Sequence, residues 1–350
     1  MANNRRPIKF MSPDVGFVLF LGQGSRDFMP QDAGAVWRST DAGASWSKVL
    51  DGRYTSFATG PQEFVVAAGL VGSFATSHDA GKSWDQVKLP VNGDIVAIAV
   101  SDPLNITITT TEPKLLISRD GGKRWIEISM PSGDFEPHDL ETTGAGKFWL
   151  LQRPIEQAIR TAAYYQWLSH RGNSNDEQAD WNTSQQRLLT AGLQFTPDFG
   201  GTWIAAEVPP SPFDALRRAD TDEVFLLSKA YGCAFAQLFE NRIKVSLMPV
   251  DNRINLQETV GPGWCCDAID SKTICFGGYK NQAGFFTMTH DGGNSWQELN
   301  IYDNGVFNVF FLDDLRGWAL VGSYGGNMVW GTSDGGLNWS RLSQRGSPFQ

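Results

Sequence analysis

The sequence "THDGGNSW" occupies Thr289–Trp296, and a close copy, "TSDGGLNW", follows 43 residues later at Thr332–Trp339. Both copies fit the pattern Ser/Thr-x-Asp-x-Gly-x-x-Trp. Four more copies of this pattern lie earlier in the chain, at Ser39–Trp46, Ser77–Trp84, Ser118–Trp125 and Thr196–Trp203. Six copies that share four positions indicate that the chain consists of repeated structural units.

The residue types in this pattern predict the turn of a β-hairpin. The aspartate can accept hydrogen bonds from backbone N–H groups two or three residues further on, and the glycine supplies a positive φ. We expect the Ser/Thr hydroxyl to bond back across the hairpin and the tryptophan to bury its ring against the neighbouring sheet. The six aspartates are therefore assigned a structural role: Asp41, Asp79, Asp120, Asp198, Asp291 and Asp334.

The spacing of the copies indicates the architecture. Successive aspartates are 38, 41, 78, 93 and 43 residues apart. A repeat of about 40 residues that holds four short strands is typical of a β-propeller blade. The last unit contains four such segments, "VFNVFFL", "GWALVGS", "NMVWGTS" and "NWSRL", which predict four strands.

The two long intervals decide the number of blades. The interval of 93 residues fits two blades, of which the first has the short turn Glu240–Arg242 in place of the repeated pattern. The interval of 78 residues is interpreted as one blade interrupted by Arg153–Arg187, because this stretch does not alternate as strands do. Its first half has apolar residues at helical spacing after Pro154. We therefore predict seven blades and not eight.

The predicted fold class is all-β: a seven-bladed β-propeller of four-stranded antiparallel blades, with one helical insertion in blade 4. We predict one domain over residues 1–350, with the insertion at 153–187. The blades are predicted to span about 7–50, 51–90, 91–130, 131–210, 211–250, 260–300 and 303–343.

Charge and hydropathy exclude some classes of partner. The formal net charge is −9 and the pI is about 5.0, which argues against general affinity for nucleic acid and allows a basic protein partner. No run of apolar residues is long enough to span a membrane. The N-terminus "MANNRRPIKF" has no apolar region of a signal peptide. We therefore expect a cytoplasmic protein as written, and a secreted or periplasmic one if a leader has been removed.

The four cysteines do not predict a metal site. Cys233, Cys265, Cys266 and Cys275 have none of the paired spacings of a zinc site. We expect them to be buried free thiols. Each repeated turn offers one carboxylate, whereas calcium needs six or more oxygen ligands. We predict neither a metal nor a cofactor.

The six turns resemble the Asp-box (BNR) repeat. That repeat occurs in sialidases, xyloglucanases, Vps10-type sorting receptors, and the propeller-type photosystem II assembly factor and its bacterial relatives. The resemblance extends from Ile8 to about Ser343. The last blade, "RGWALVGSYGGNMVWGTSDGGLNW" at Arg316–Trp339, is most similar to the assembly-factor type. The resemblance implies the fold, but enzymes and non-enzymes both use this turn.

Strand order predicts where a partner binds. The repeated turns join strands three and four, so they share one face with the loops between strands one and two. Two long insertions, Gln23–Ala35 and Arg153–Arg187, lie between strands two and three and therefore share the opposite face. Aromatic and arginine side chains are common anchors of protein interfaces. The predicted partner-binding residues are Arg26, Asp27, Phe28, Arg53, Tyr164, Tyr165, Trp167 and Tyr324.

The resemblance also raises a sialidase-like glycosidase as an alternative. Such a mechanism requires three arginines that grip a carboxylate, a tyrosine nucleophile beside a glutamate, and an acidic proton donor. Arg53, Arg217 and Arg218 could meet over the channel, but nothing in the sequence places Tyr54 or Tyr324 beside a glutamate. His138 lies on the predicted inner strand of blade 4, where we favour a structural role. We therefore assign no catalytic residue.

The sequence thus favours a non-catalytic propeller that binds a protein partner, and its acidic charge allows that partner to be basic. By resemblance it acts as an assembly factor, and by its charge an inhibitor or immunity-type protein is equally consistent. A sialidase-like exo-glycosidase is the alternative, so a glycan ligand stays open.

Overall fold

The computed structural model describes residues 7–19, 34–130, 135–154, 160–161, 163–164, 192–206, 215–220, 222–228, 232–248, 265–280, 283–301, 305–323 and 326–342. They form seven sheets, each of four strands that are consecutive in the sequence. All neighbouring strands within a sheet are antiparallel. The predicted seven-bladed propeller is confirmed.

The first three blades have these strands. Blade 1 consists of β1 (Ile8–Phe10), β2 (Gly16–Leu19), β3 (Val36–Ser39) and β4 (Ser47–Leu50). Blade 2 consists of β5 (Tyr54–Thr59), β6 (Val65–Gly69), β7 (Ser73–Ser77) and β8 (Asp85–Lys88), with a 3-10 turn at Leu70–Gly72. Blade 3 consists of β9 (Ile95–Val100), β10 (Ile106–Thr110), β11 (Leu115–Ser118) and β12 (Ile126–Ile128).

The other four blades repeat this order. Blade 4 consists of β13 (Phe135–Gly144), β14 (Lys147–Pro154), β15 (Leu193–Thr196) and β16 (Ile204–Ala205). Blade 5 consists of β17 (Ala215–Asp220), β18 (Glu223–Ser228), β19 (Gly232–Phe239) and β20 (Arg242–Met248). Blade 6 consists of β21 (Cys265–Ala268), β22 (Ile274–Lys280), β23 (Ala283–Thr289) and β24 (Gln297–Ile301). Blade 7 consists of β25 (Gly305–Phe311), β26 (Gly317–Ser323), β27 (Gly326–Thr332) and β28 (Ser340–Arg341).

The predicted helical insertion is described only in part. Arg160, Thr161, Ala163 and Tyr164 have helical conformation, and the remaining residues of the chain between 155 and 191 lie outside the described residues. The helix therefore stays a prediction. Among the described residues, no helix has the length and hydrophobicity needed to cross a membrane.

A separate hydrophobic cluster joins each pair of neighbouring blades. Phe17 of blade 1 and Phe57 of blade 2 belong to one such cluster, and Phe286 of blade 6 and Val309 of blade 7 belong to another. The same arrangement recurs at the other five interfaces. Because the apolar faces of each sheet are covered by its neighbours, the ring buries sheets that could not be stable alone.

The ring closes through side chains and not through a shared strand. Blades 1 and 7 are each complete, since their four strands come from one continuous segment. The Phe10 ring of blade 1 stacks on the Trp318 ring of blade 7 with centroids 3.7 Å apart and planes 7° from parallel. The Trp318 Nε1–H donates to the Ala42 carbonyl at 2.8 Å. Aromatic stacking and one hydrogen bond thus seal the first blade to the last.

The repeated turn is a small hydrogen-bonded network, shown here for blade 1. The Asp41 carboxylate accepts the Ser45 backbone N–H at 2.8 Å, four residues on. The Ser39 hydroxyl donates to Asp41 at 2.8 Å and accepts the Gly43 N–H at 2.8 Å. The bond from the N–H four residues after the aspartate recurs in all six turns. So does the bond from the glycine N–H to the Ser/Thr hydroxyl.

One detail of the predicted turn was wrong, one was incomplete and one is confirmed. The predicted donor three residues after the aspartate is present in blade 2, where the Lys82 N–H donates to Asp79 at 3.0 Å. The donor that recurs in all six turns lies four residues after the aspartate, because the turn is wider than an ordinary Asx turn. The Ser/Thr hydroxyl bonds within its own turn and not across the hairpin, because the aspartate and the glycine N–H lie within its reach. The predicted positive φ of the glycine is confirmed, with 95° at Gly43 and 89° at Gly293.

The tryptophan of each turn lies between its own blade and the preceding one. Trp46 of blade 1 belongs to the cluster that includes Trp318 of blade 7, and Trp125 of blade 3 packs edge-on against Phe74 of blade 2. Trp46 is fully buried, whereas the other five tryptophans are partly buried. Five of the six indole N–H groups donate to the carbonyl of the glycine in their own turn. The turn therefore orients the ring that fills the interface.

We expect Trp318→Ala to destabilise the ring by about 3–5 kcal/mol, because it leaves a cavity between blades 1 and 7. Trp318→Phe keeps an aromatic ring on Phe10 but loses the bond to Ala42, so it should cost less. Urea unfolding followed by tryptophan fluorescence measures both. A loss below about 1 kcal/mol in the alanine variant would show that the ring closes by other contacts.

Acid should weaken the repeated turns. The Ser295 hydroxyl and then the Ser295 backbone N–H lower the pKa of Asp291 to about 2 from an ordinary 3.8. A lowered pKa in the folded state gives stability that is present above the ordinary value and is lost as the pH falls through 2. The unfolding temperature of Asp291→Asn should therefore be lower at neutral pH and fall less between about pH 4 and pH 2.

Asp314→Asn is the control for this titration, because Asp314 is an exposed aspartate outside the repeated pattern. Its unfolding temperature should follow that of the parent protein at every pH. Equal acid sensitivity of Asp291→Asn and the parent protein would contradict a stabilising role for the carboxylate. Differential scanning fluorimetry across the pH series provides the measurement.

Candidate functional site

Hydrogen bonds define the two faces of the ring. In each blade with a repeated turn, a backbone N–H of the turn donates to a carbonyl of the loop between strands one and two of the same blade. In blade 1 the Ala42 N–H donates to the Asp14 carbonyl at 3.1 Å, and in blade 7 the Gly335 N–H donates to the Leu315 carbonyl at 2.8 Å. These turns and loops form the turn face. The connections between strands two and three and between blades form the opposite end, which we call the working face.

The described part of the working face is continuous from blade 1 to blade 3. The Tyr54 N–H donates to the Gly34 carbonyl at 3.2 Å, and the Leu70 N–H donates to the Arg53 carbonyl at 2.8 Å. The Asp94 N–H donates to the Thr111 hydroxyl at 2.9 Å. These bonds connect segments from three successive blades, so this part of the face is held as one surface.

Val71 stands on this surface in a strained conformation. Its φ of 52° and ψ of 44° are in the left-handed region, which β-branched residues rarely adopt. The Asp94 carboxylate accepts the Val71 N–H at 2.8 Å and holds this conformation. The side chain of Val71 is 43 % exposed. A rigid exposed apolar side chain is suited to contact a partner, since little conformational entropy is lost on binding.

Tyr54, beside Arg53, is part of the core and not an exposed reactive group. It is buried between blades 1 and 2, where its hydroxyl donates to the Gln86 side-chain carbonyl at 3.3 Å. Burial raises the pKa of Tyr54 to about 12. The phenol therefore stays protonated at neutral pH, and a protonated, buried hydroxyl is a poor nucleophile.

The structure describes two of the predicted partner-binding residues. Arg53 is exposed between β4 and β5, at the junction of blades 1 and 2. Tyr164 is 57 % exposed in the connection between β14 and β15 of blade 4. Blades 2 and 3 lie between these two positions in the ring. The other predicted residues lie outside the described part of the chain: Arg26, Asp27, Phe28, Tyr165, Trp167 and Tyr324.

A buried ion pair joins the inner strands of blades 4, 5 and 6. The Arg217 Nη1 lies 3.2 Å from the Asp139 carboxylate, and both side chains are almost fully buried. Arg217 also donates to the Leu216 carbonyl at 2.7 Å and, through Nε, to the Cys266 carbonyl at 3.1 Å. Asp139 accepts the Leu216 N–H at 2.9 Å. Sequence reasoning did not find this pair, because its partners are 78 residues apart and lie on different blades.

A similar carboxylate contact joins blades 6 and 7. Asp267 on the inner strand of blade 6 accepts the Phe311 N–H of blade 7 at 2.7 Å. The edges of the inner strands carry backbone N–H groups that have no neighbouring strand. Asp139 and Asp267 each satisfy one of these groups on the next blade, so both carboxylates fasten the ring around its channel.

The three arginines of the glycosidase alternative differ in environment. Arg217 is buried and holds the inner strands, whereas Arg218 and Arg53 are exposed. A grip on a substrate carboxylate requires guanidinium N–H groups that face the solvent. Two of the Arg217 donors, Nε and Nη1, are already bonded within the protein. His138, next to Asp139 on β13, is buried at 9 % exposure.

The four cysteines are buried and free, as predicted. Burial is the main reason that the pKa values of the Cys233, Cys265 and Cys275 thiols are raised. Thiols of this kind are poor nucleophiles and metal ligands. Within the described ranges, no group of three or more His, Cys, Asp or Glu side chains is arranged to hold a metal ion.

The fold places this chain in the class of seven-bladed β-propellers. A scan against family models and a search of curated proteins found no match. Among solved structures, YCF48 bound to a D1 peptide matches 80 % of this chain and 78 % of its own chain, with a TM-score of 0.54 and 14 % identity.

Two enzymes also share the fold. The GH74 xyloglucanase from Xanthomonas campestris matches with a TM-score of 0.61 and 12 % identity over 97 % of this chain. This chain covers 55 % of that enzyme's length. A catalytically inactive virginiamycin B lyase from Staphylococcus aureus, with quinupristin, matches with a TM-score of 0.55 and 10 % identity over 91 % of this chain and 92 % of its own. At such identities the likeness shows the fold alone.

We expect Arg217→Met to destabilise the protein by about 3–5 kcal/mol, because it leaves the buried Asp139 carboxylate without its cation. Adding Asp139→Asn to Arg217→Met should restore part of this loss. Arg218→Met is the matched control, since Arg218 is the exposed neighbour on the same strand. Urea unfolding measures all three, and equal losses for Arg217→Met and Arg218→Met would contradict the structural role of the pair.

Proposed function

We propose that this chain is a non-catalytic propeller of the Asp-box type that binds a protein partner on its working face. The repeated Ser/Thr-x-Asp-x-Gly-x-x-Trp turns support the Asp-box assignment through their sequence and their shared hydrogen bonds. They lie on the turn face and fasten the blades. The sequence assigns the two long insertions to the opposite face, which is therefore the surface that we propose for function.

The proposal rests on which of the described charged groups are bonded within the protein and which are exposed. Arg217 is bonded to Asp139 and to two backbone carbonyls. The turn aspartates accept hydrogen bonds from backbone N–H and hydroxyl groups of other residues in the same turn, as Asp291 does from Ser295. These groups stabilise the ring. Arg53 and Val71, in contrast, are exposed on a hydrogen-bonded part of the working face. An exposed cation beside an exposed apolar side chain favours protein recognition over catalysis.

Two biological roles fit such a binding platform. The first is an assembly factor, which is supported by the shared fold with YCF48, a propeller that binds a D1 peptide. The second is an inhibitor or immunity-type protein for a basic partner. The net charge of −9 supports this second role through long-range attraction of a basic surface. Exo-glycosidase activity is the competing function. It is supported by the fold class that this chain shares with the xyloglucanase.

The test compares two charge reversals on opposite faces of the ring, one at the junction of blades 1 and 2 and one in the turn of blade 2. Arg53→Glu changes the working face, and Lys82→Glu makes the same charge change in the turn of blade 2, where Lys82 is exposed. The partner is first identified by affinity capture from an extract of the source organism and then purified. We expect Arg53→Glu to weaken its binding at least tenfold in calorimetry, and Lys82→Glu to leave it unchanged.

Deletion of 155–187, which begins after the last residue of β14, gives a second test of the working face, and circular dichroism checks that the ring remains folded. Capture of the partner should be lost. Equal binding by the deletion variant and the parent protein would place the site elsewhere. Turnover of fluorogenic glycosides, including sialosides, by the parent protein would overturn the non-catalytic proposal in favour of the glycosidase.

A further inference from the structure

The outer hairpin of blade 5 differs from those of the other blades. Its turn, Glu240–Asn241, has only two residues, with φ of 46° and 62°. Turns of two residues with positive φ match the twist of paired strands. Pairing therefore continues up to Phe239 opposite Arg242, next to the turn. In blade 1, by contrast, pairing of the same two strands ends at Arg38 and Ser47, before the repeated turn.

The tight turn gives blade 5 the longest outer strand in the described ring. β20 has seven residues, whereas the outer strands of the other blades have between two and five. On its inner side β20 pairs with β19 over its whole length. The opposite edge bears backbone N–H and C=O groups that can accept a further strand.

This edge already accepts a strand at one point. Ala206, which comes directly after β16 of blade 4, forms a parallel bridge with Ile243 near the start of β20. β16 itself has only two residues, Ile204 and Ala205. From Lys244 to Met248, no further β-bridge to this edge is formed by the described residues. Within the described ranges, the edge from Lys244 to Met248 thus bears no bridge, and the bridge at Ile243 shows that this edge pairs with a parallel segment.

Exposed apolar side chains lie at both ends of the hairpin. Phe239 is 65 % exposed and Leu247 is 64 % exposed, the two highest values among the described large hydrophobic residues. A groove of about 650 Å³ lies at the turn end of the hairpin and is lined by Phe239, Glu240, Arg242, Ile243, Lys244 and Val245. Exposed apolar side chains beside a long strand edge mark a site for an added strand.

Local charge indicates the chemistry of the occupant. The hairpin Gly232–Met248 carries two cations, Arg242 and Lys244, and one carboxylate, Glu240. Both cations are exposed, and they lie two residues apart, so they point to the same side of β20. The whole chain has a net charge of −9 and repels acidic segments. The basic outer strand is therefore a local exception that favours acidic residues.

We propose that β20 is a second docking site, at which an extended acidic segment of a partner protein adds as a fifth strand to blade 5. Its acidic side chains pair with Arg242 and Lys244, and its apolar side chains pack against Val245 and Leu247. The site lies along the outer strand of blade 5, which runs from the turn face toward the working face, and it includes none of the residues to which the proposed function assigns partner binding. It therefore stands independently of the function proposed above.

The test uses two labelled hexapeptides with the full chain. One alternates glutamate and valine, and the other alternates lysine and valine. Fluorescence anisotropy should show at least tenfold tighter binding of the glutamate peptide. A third peptide, with proline in place of the central valine, lacks one backbone N–H and should bind at least tenfold more weakly.

Charge reversal on two outer strands locates the site. Lys244→Glu should weaken binding of the glutamate peptide at least tenfold and strengthen binding of the lysine peptide. Lys88→Glu is the matched control, because Lys88 is an exposed lysine on β8, the outer strand of blade 2. It should leave the affinity for both peptides unchanged. Likewise, Leu247→Ser should weaken binding, whereas Val87→Ser on β8 should not.

Three results would overturn the proposal. These are equal affinity for the glutamate and lysine peptides, equal effects of Lys244→Glu and Lys88→Glu, and unchanged binding of the proline peptide. Analytical ultracentrifugation tests a different occupant. Dimerisation of the parent protein that disappears in Leu247→Ser would assign the edge to a second copy of this chain, contrary to the proposal. Thermal unfolding of each variant checks that the ring is intact.

Discussion

The ring depends on one contact that recurs around it: the indole of each repeated turn fills the space between its own blade and the blade before it. Sheets that radiate from a common axis diverge toward the rim, so their outer parts need a large side chain between them. Trp46, Trp125 and Trp339 occupy such positions. The Ser/Thr, Asp and Gly of the turn hold the indole in place. The shared chemistry of the six turns is thus a device for spacing the blades.

Blade 5 shows how an interface changes when this device is missing. Its interface with blade 4 contains no turn tryptophan and is packed by Trp149, Phe195 and Leu226 instead. Freed from the wide turn, the outer hairpin of blade 5 pairs to its tip and exposes Phe239. One local change in turn chemistry therefore alters both packing and surface.

Two sets of bonds hold the ring together. On the turn face, short bonds such as that from Ala42 to Asp14 fasten each hairpin to its own blade. Around the channel, Asp139, Arg217 and Asp267 join one inner strand to the next. These contacts hold the hairpins and the inner strands in place, and our proposal assigns partner binding to the working face. Recognition by loops on such a scaffold requires little rearrangement of the ring itself.

The sequence by itself determined the number of blades, the strand order within them and the role of the repeated turn, because all of these depend on local chemistry repeated at a regular interval. It predicted the positive φ of Gly43 and the buried thiols correctly. It did not find the Asp139–Arg217 pair, the stacking of Phe10 on Trp318 or the long edge of β20. The first two features join residues that are far apart in the chain. The third depends on how far the pairing of β19 with β20 extends. Only the closed ring brings such groups together, since no periodic pattern in the sequence encodes which side chains meet across two blades.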